Sequence, residues 1–266
     1  MNSLTLRGLT LGEGKPKIIV PLCAGNQEAL LQKASALSSH PFDLVEWRAD
    51  FMDAVHAADT PDHALAAELS RCAKALRGLL GDTPLLFTLR SQKEGGEALL
   101  PPSRYMILNQ AAAESGAVDL VDVELSCGAD CVQENIRRIH AAGVHVIASS
   151  HDFQKTPEQA VLTERLLAMQ RCGADIAKLA VMPQSAADVL TLLAATEEVH
   201  RLHPELPLVT MSMGELGVLS RISGELFGSC MSFAAAVESS APGQLPAKTL
   251  SQLLSVLHED GRPSVS

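Results

Sequence analysis

Apolar positions along the chain gather in short runs that recur at regular intervals. The runs are 17–24 (KIIVPLCA), 44–50 (LVEWRAD), 84–90 (PLLFTLR), 120–125 (LVDVEL), 144–152 (VHVIASSHD), 176–183 (IAKLAVMP), 208–214 (LVTMSMG) and 230–235 (CMSFAA). Each has the length of a β-strand, and several are rich in Val and Ile. Longer amphipathic stretches lie between them. Residues 60–79 open with Thr-Pro and run into Gly78 and Gly81, a start and a stop signal for a helix. Residues 103–116, 130–143 and 156–173 each finish at a glycine, as helices commonly do. Residues 184–200 and 246–258 also read as helices, with shorter helical turns around 216–227.

Eight strands alternating with helices predict repeated right-handed βαβ units. Eight such units in a chain of this length predict an α/β fold of the (β/α)8 TIM-barrel type, one domain over residues 1–266. The competing doubly wound sheet lacks its glycine-rich phosphate fingerprint after any early strand. Residues 1–14 alternate Leu and Thr around Gly8, which predicts a small hairpin closing one end of the barrel. Residues 261–266 read as a frayed tail.

Parity within the strands then sorts the polar residues. In a barrel, alternate side chains point inward and the others meet the helices. Val45 and Trp47 share one face; Glu46 and Arg48 share the other. Leu85, Phe87 and Leu89 oppose Thr88 and Arg90, and Val121, Val123 and Leu125 oppose Asp122 and Glu124. His145, Ile147, Ser149 and His151 share a face, as do Lys178, Ala180 and Met182, and as do Met211 and Met213. If the apolar sides meet the helices, Glu46, Arg48, Arg90, Glu124, His151 and Lys178 all point into the barrel. Most fall toward the carboxyl ends of their strands, where barrel active sites are built.

Composition narrows the picture. The 266 residues carry 21 Lys and Arg against 31 Asp and Glu, a net charge of −10. That disfavours a protein that binds nucleic acid by neutralising phosphates, but leaves room for a basic pocket on an acidic surface. A 47% hydrophobic content excludes wholesale disorder, and 3% aromatics with one Trp and one Tyr predicts an aliphatic core without base-stacking platforms. The six cysteines follow no disulfide frame and predict reduced thiols in a cytosol. Cys127 and Cys131 lack a companion pair at zinc spacing, so no metal is expected. The N-terminus carries no apolar signal core, and no apolar run reaches membrane length. A soluble cytoplasmic protein without membrane contact is expected.

Lys178 is the sharpest candidate, because it interrupts an apolar strand. It reads either as a nucleophilic amine or as a structural partner of Asp122 or Glu124. In the first reading, Arg48, Arg90 and desolvation lower its pKa and release an amine able to form a Schiff base with a carbonyl. His151 in SSHDF is then the general acid and base, or else a structural histidine. Glu94 in KEGGE could orient the imidazole, although alone it reads better as a solvated loop acid. Gly95 and Gly96 would make that loop flexible. Arg221 after strand seven could grip a carboxylate in bidentate fashion, or be a surface helix arginine. Residues 239–244 (SSAPGQ) read as an ordinary turn or a mobile lid.

The set EWRAD, FTLRSQKEGGE, VDVEL, SSHDF, AKLAVMP, TMSMGELGVLSR, GELFGS and SAPGQLP, in this order, closely resembles the type I 3-dehydroquinate dehydratases of the shikimate pathway. The resemblance runs from about Lys17 to His258. It implies a TIM barrel, a homodimer, and no metal or organic cofactor. It implies Lys178 as the imine-forming lysine, His151 as the proton shuttle and Glu94 as its support. Glu46, Arg48 and Arg90 would bind hydroxyls of 3-dehydroquinate, and Arg221 and Gln244 its carboxylate. Ser240 and the 241–244 segment would close over the ligand, with Met211 and Met213 lining the pocket. Pro21 stands where some relatives carry serine, which implies one lost hydroxyl contact and a changed affinity. Two other readings stay open: a class I aldolase using the same lysine, and a non-catalytic ligand-binding barrel.

Overall fold

The computed structural model describes residues 4–57, 60–236 and 240–260. The first three residues of the expected hairpin, Ser239 of the expected lid and the expected frayed tail lie outside them. Strands β1 (Leu4–Leu6) and β2 (Leu9–Leu11) form the hairpin, antiparallel with Leu4 opposite Leu11. The barrel strands follow: β3 (Lys17–Cys23), β4 (Leu44–Arg48), β5 (Leu85–Thr88), β6 (Leu120–Glu124), β7 (His145–Asp152), β8 (Ile176–Val181), β9 (Leu208–Ser212) and β10 (Met231–Ala235). Each pairs in parallel with the next from β3 to β9, and β10 pairs with β3. A bridge between Leu208 and Ser229 and a 2.7 Å bond from Cys230 N–H to the Leu208 carbonyl close the ring. A short β11 (Leu245–Pro246) adds to the edge of β10. The eight expected strands and the (β/α)8 architecture are therefore present.

The helices are α1 (Gln27–Ala36), α2 (Asp53–His56), α3 (Asp62–Leu80), α4 (Pro102–Glu114), α5 (Ala129–Ala141), α6 (Gln159–Arg171), α7 (Ala186–Leu202), α8 (Val218–Ile222), α9 (Gly224–Phe227) and α10 (Ala247–Asp260). The sequence pattern did not yield α1. It buries only Leu30 and Ala34, so its apolar stripe is thin. Its start signal is nevertheless present: Asn26 Oδ1 accepts the Ala29 N–H at 3.0 Å. Helix α6 begins later than expected because Thr156 is used otherwise, donating its hydroxyl to the Met182 carbonyl at 3.1 Å. Among the described residues no disulfide joins the six cysteines.

Strand parity builds two cores. Val45, Trp47, Phe87, Val121, Val123, Val146 and Leu179 pack outward under the helices. Ile19, Leu44, Leu86, Leu120, Ile147, Ile176, Val209 and Met231 point inward from the opposite positions, and Leu6 and Leu11 of the hairpin pack onto them. The hairpin thus caps the amino end of the barrel. The inward positions one step further along β4, β6 and β8 carry Glu46, Asp122 and Lys178, so the site sits at the carboxyl end.

Candidate active site

Lys178 stands in the middle of β8, in register between Ser149 and Val209, and is buried. Its Nζ lies 3.4 Å from Asp122 Oδ2, 3.7 Å from Glu46 Oε1 and 4.4 Å from the centre of the Phe233 ring. The sequence left two surroundings open for it, nearby Arg48 and Arg90 or an ion pair with Asp122 or Glu124. The amine lies against Asp122, and both guanidiniums are turned onto carboxylates. Asp122 is held below the usual carboxylate range: burial opposes its charge, but Arg90, Lys178 and the Ser149 hydroxyl outweigh burial.

Arg90 lies two residues beyond β5. It donates from Nη2 to Asp122 at 2.6 Å, and from Nη1 to Glu124 at 3.1 Å and Ser149 Oγ at 2.8 Å. The same Nη1 is 3.6 Å from Glu94 Oε2. Arg90 lines the cavity with both η nitrogens already engaged. Arg48, at the end of β4, makes a two-point fork with Asp50. Glu46 accepts the Thr88 hydroxyl at 2.9 Å. The pocket is therefore not simply basic: most of its cations face buried carboxylates.

His151 ends the inward face of β7. Its Nδ1 is 2.9 Å from Glu94 Oε2, and the same oxygen accepts the His151 backbone N–H at 3.1 Å. Burial, with Arg90, Lys178 and Arg48 nearby, drives the imidazole pKa well below 6.5. That favours the neutral form of the ring. With Glu94 taking the Nδ1–H, the Nε2 lone pair is left as the base. Glu94 is no solvated loop acid but 4% exposed. Burial pushes its carboxyl up to about 7, against the pull of Arg90.

The loop that delivers Glu94 depends on its glycines for fit rather than flexibility. Gly95 has φ +78°, and a Cβ there would stand 2.3 Å from the Phe153 ring; one on Gly96 would stand 2.3 Å from the Arg90 carbonyl oxygen. Phe153 in turn stacks on His151, with ring centres 6.4 Å apart and planes at 23°.

Arg221 on α8 is no surface residue; it is 2% exposed. Nη2 donates to the Pro242 carbonyl at 2.9 Å, Nη1 is 3.9 Å from Met211 Sδ, and Nε is buried without a partner. Burial lowers its pKa to about 10. Among the described residues no carboxylate is paired with it, which sets it apart from Arg48 and Arg90. Next to it, the Ser240 N–H donates to Gln244 Oε1 at 2.9 Å and Gln244 Nε2 donates to Ser240 Oγ at 3.1 Å. Gly214 N–H donates to the Pro242 carbonyl at 3.2 Å. The 240–244 segment is thus folded on itself and seated on the loop after β9.

These side chains meet in one cavity of about 470 Å³. Lys178, His151, Glu94, Glu46, Arg48, Arg90, Arg221, Ser240, Gln244, Met211 and Met213 all line it; Glu124, read from the sequence as inward-facing, does not, and instead accepts from Arg90. The structure adds Phe153 and Phe233. Phe233 was legible in principle, sharing the inward parity of β10 with Met231. Pro21 of β3 is paired in register with Glu46 of β4 but is not part of the lining. No group of three metal-binding side chains occurs among the described residues. Nor is any described helix long and apolar enough to cross a membrane.

The family model for type I 3-dehydroquinase matches residues 18–261. The 3-dehydroquinate dehydratase of Salmonella paratyphi B is 44% identical over 97% of this chain and 100% of its own length. Among solved structures, the Clostridium difficile type I enzyme with covalently modified comenic acid superposes with a TM-score of 0.90 at 41% identity, covering 97% of this chain and 98% of that one. The Geobacillus kaustophilus 3-dehydroquinate dehydratase gives 0.91 at 38% identity, covering 98% of this chain and 100% of that one.

Proposed function

This chain belongs to the type I 3-dehydroquinase family, and from that premise we propose that it eliminates water from 3-dehydroquinate to give 3-dehydroshikimate through an imine on Lys178. The observation that carries the residue assignments is a buried amine sharing one cavity with a neutral, oriented imidazole and an unpaired buried guanidinium.

The substrate carboxylate docks on Arg221, the buried cation left without a carboxylate. Gln244 and Ser240 close beside it. The ketone then lies toward Lys178. Before attack the amine must shed a proton, and Asp122 and Glu46 are the carboxylates in reach of Nζ. The amine adds to the carbonyl carbon and a water leaves as the iminium forms. The iminium draws electrons from the adjacent carbon, and His151 Nε2 removes a proton there to give an enamine. The enamine expels the β-hydroxyl, which takes the proton from His151 and departs as water. A water molecule then hydrolyses the conjugated imine, releasing product and the free amine. Glu94 engages Nδ1 throughout, so that Nε2 is the nitrogen that gains and returns the proton.

Borohydride with substrate or product should fix a stable adduct on the peptide that carries Lys178, read by mass spectrometry. Turnover with an unmodified Lys178 peptide would sink the assignment. Family membership also supports a homodimer, a cytoplasmic setting, one catalytic domain over residues 1–266 and cofactor-free chemistry. Light scattering of the purified chain at a dimer's mass, with activity surviving extensive chelation, is the expected result.

A further inference from the structure

We infer that Asp50, which touches no reacting atom, is the positioning residue that makes Arg48 a usable substrate contact. This rests on the reading that Arg48 binds substrate. Asp50 follows β4 in a short 3-10 turn and is fully buried. Its Oδ1 accepts Arg48 Nε at 2.8 Å and its Oδ2 accepts Arg48 Nη2 at 2.7 Å, so carboxylate and guanidinium lie side by side. The fork leaves Nη1 as the nitrogen not taken. Phe51, the next residue, stacks under the same group, with Arg48 Cζ 5.0 Å from the ring centre. One edge and one face of the guanidinium are thereby fixed, and the group has lost the freedom to swing.

Asp50 is itself anchored from a second element. Its Oδ2 also accepts the Glu97 N–H at 3.1 Å, from the loop that carries Glu94. Its carbonyl lies 2.8 Å from His56 Nε2. One carboxylate therefore ties the Arg48 side of the pocket to the loop that aims His151. A bare arginine at this position would carry the same charge but would spread over many rotamers. A buried two-point pair removes that freedom before substrate arrives.

The test is a double-mutant cycle on the full chain with 3-dehydroquinate as substrate. Asp50→Asn keeps the shape but turns an acceptor into a donor facing Arg48. The expected result is a KM raised on the order of 10–100-fold, the usual scale for a lost positioning partner. Arg48→Ala should raise KM at least as far. In the double variant the Asp50 change should add nothing, because its effect runs through Arg48. Effects that multiply in the double variant overturn the proposal. So does an Asp50→Asn enzyme with lowered melting temperature and unchanged KM, the outcome of a merely structural role. If Arg48→Ala leaves KM unchanged, the reading of Arg48 fails first and the Asp50 proposal falls with it. Should Asp50→Asn not fold, Arg48→Lys carries the test. It keeps the charge but cannot form the fork, so a wild-type KM overturns the proposal.

Discussion

At the residue scale, strand parity carries most of the information. Glu46, Arg48, Lys178 and His151 could be assigned to the barrel interior because a barrel strand turns alternate side chains inward. Parity cannot say which charge meets which. The pairing of Lys178 with Asp122, and of Arg90 with Asp122 and Glu124, arises from side chains on different strands leaning across the mouth. Loop acids were harder still. Glu94 becomes buried only because Gly95 and Gly96 let the loop fold inward, and no periodicity marks that. Three outcomes follow at this scale. Lys178→Ala should abolish turnover and the borohydride adduct together, whereas His151→Ala should still form the adduct while kcat falls by roughly 100- to 10,000-fold. Arg221→Ala should mainly raise KM, since the buried guanidinium acts through binding. The pH profile of kcat/KM gives the third. The His151 pKa lies well below 6.5, so the imidazole stays a free base until pH falls through that depressed value. The acid-side fall should therefore begin as Glu94, which orients the ring, is protonated near pH 7, with the imidazole itself protonating only below 6.5.

At the element scale, the recurring βα unit was legible and its fine fitting was not. Helix α1 escaped because a helix burying two side chains leaves almost no stripe, although Asn26 marks its first turn. Asn26→Ala should lower stability by about 1 kcal/mol, the usual worth of such a cap, measured by denaturant unfolding. The tie between α4 and β6 was equally hidden. The Tyr105 hydroxyl donates to the Asp122 carbonyl at 3.2 Å and accepts the Glu124 N–H at 3.1 Å. It thus clamps the strand end that presents Asp122 and Glu124. Tyr105→Phe would leave two buried backbone groups unmatched. A loss of about 1–3 kcal/mol is expected, with KM changed less than melting temperature, because the residue lies outside the cavity.

At the scale of the whole molecule, the sequence read a hairpin over one end of the barrel, and the structure seats it at the amino end, away from the cavity. The net charge of −10 was less informative than it looked, since the pocket interior is a balanced lattice with Arg221 as its unpaired cation among the described residues. The fold's dependence on pH lies partly at the opposite end. Asp175 accepts from the Val146 N–H at 2.7 Å and lies 2.8 Å from His140 Nε2 and 3.3 Å from His145 Nδ1. Burial resists its ionisation, but hydrogen bonds from His145, Val146 and His140 bring the carboxyl down to about 2. Hydrogen bonding to Asp175 raises the His145 pKa. A depressed carboxyl stabilises the fold above its unfolded pKa and loses that contribution as pH falls toward 2. A raised histidine stabilises below its unfolded pKa and loses it as pH rises through the folded value. The melting-temperature difference between the wild type and Asp175→Asn should therefore be widest near pH 5 and narrow in both directions. A difference that stays flat across pH would contradict this account.

The hairpin has a consequence for traffic. Leu6 and Leu11 stopper the barrel's amino end, so among the described residues the cavity's doorway is at the carboxyl end, with Ser240, Ala241 and Gln244 on its wall. Substrate and product share that doorway, and one cannot enter until the other has left. In the proposed cycle two waters are released inside and one is consumed. The door's opening, and not the stoppered end, then sets when the next molecule is admitted.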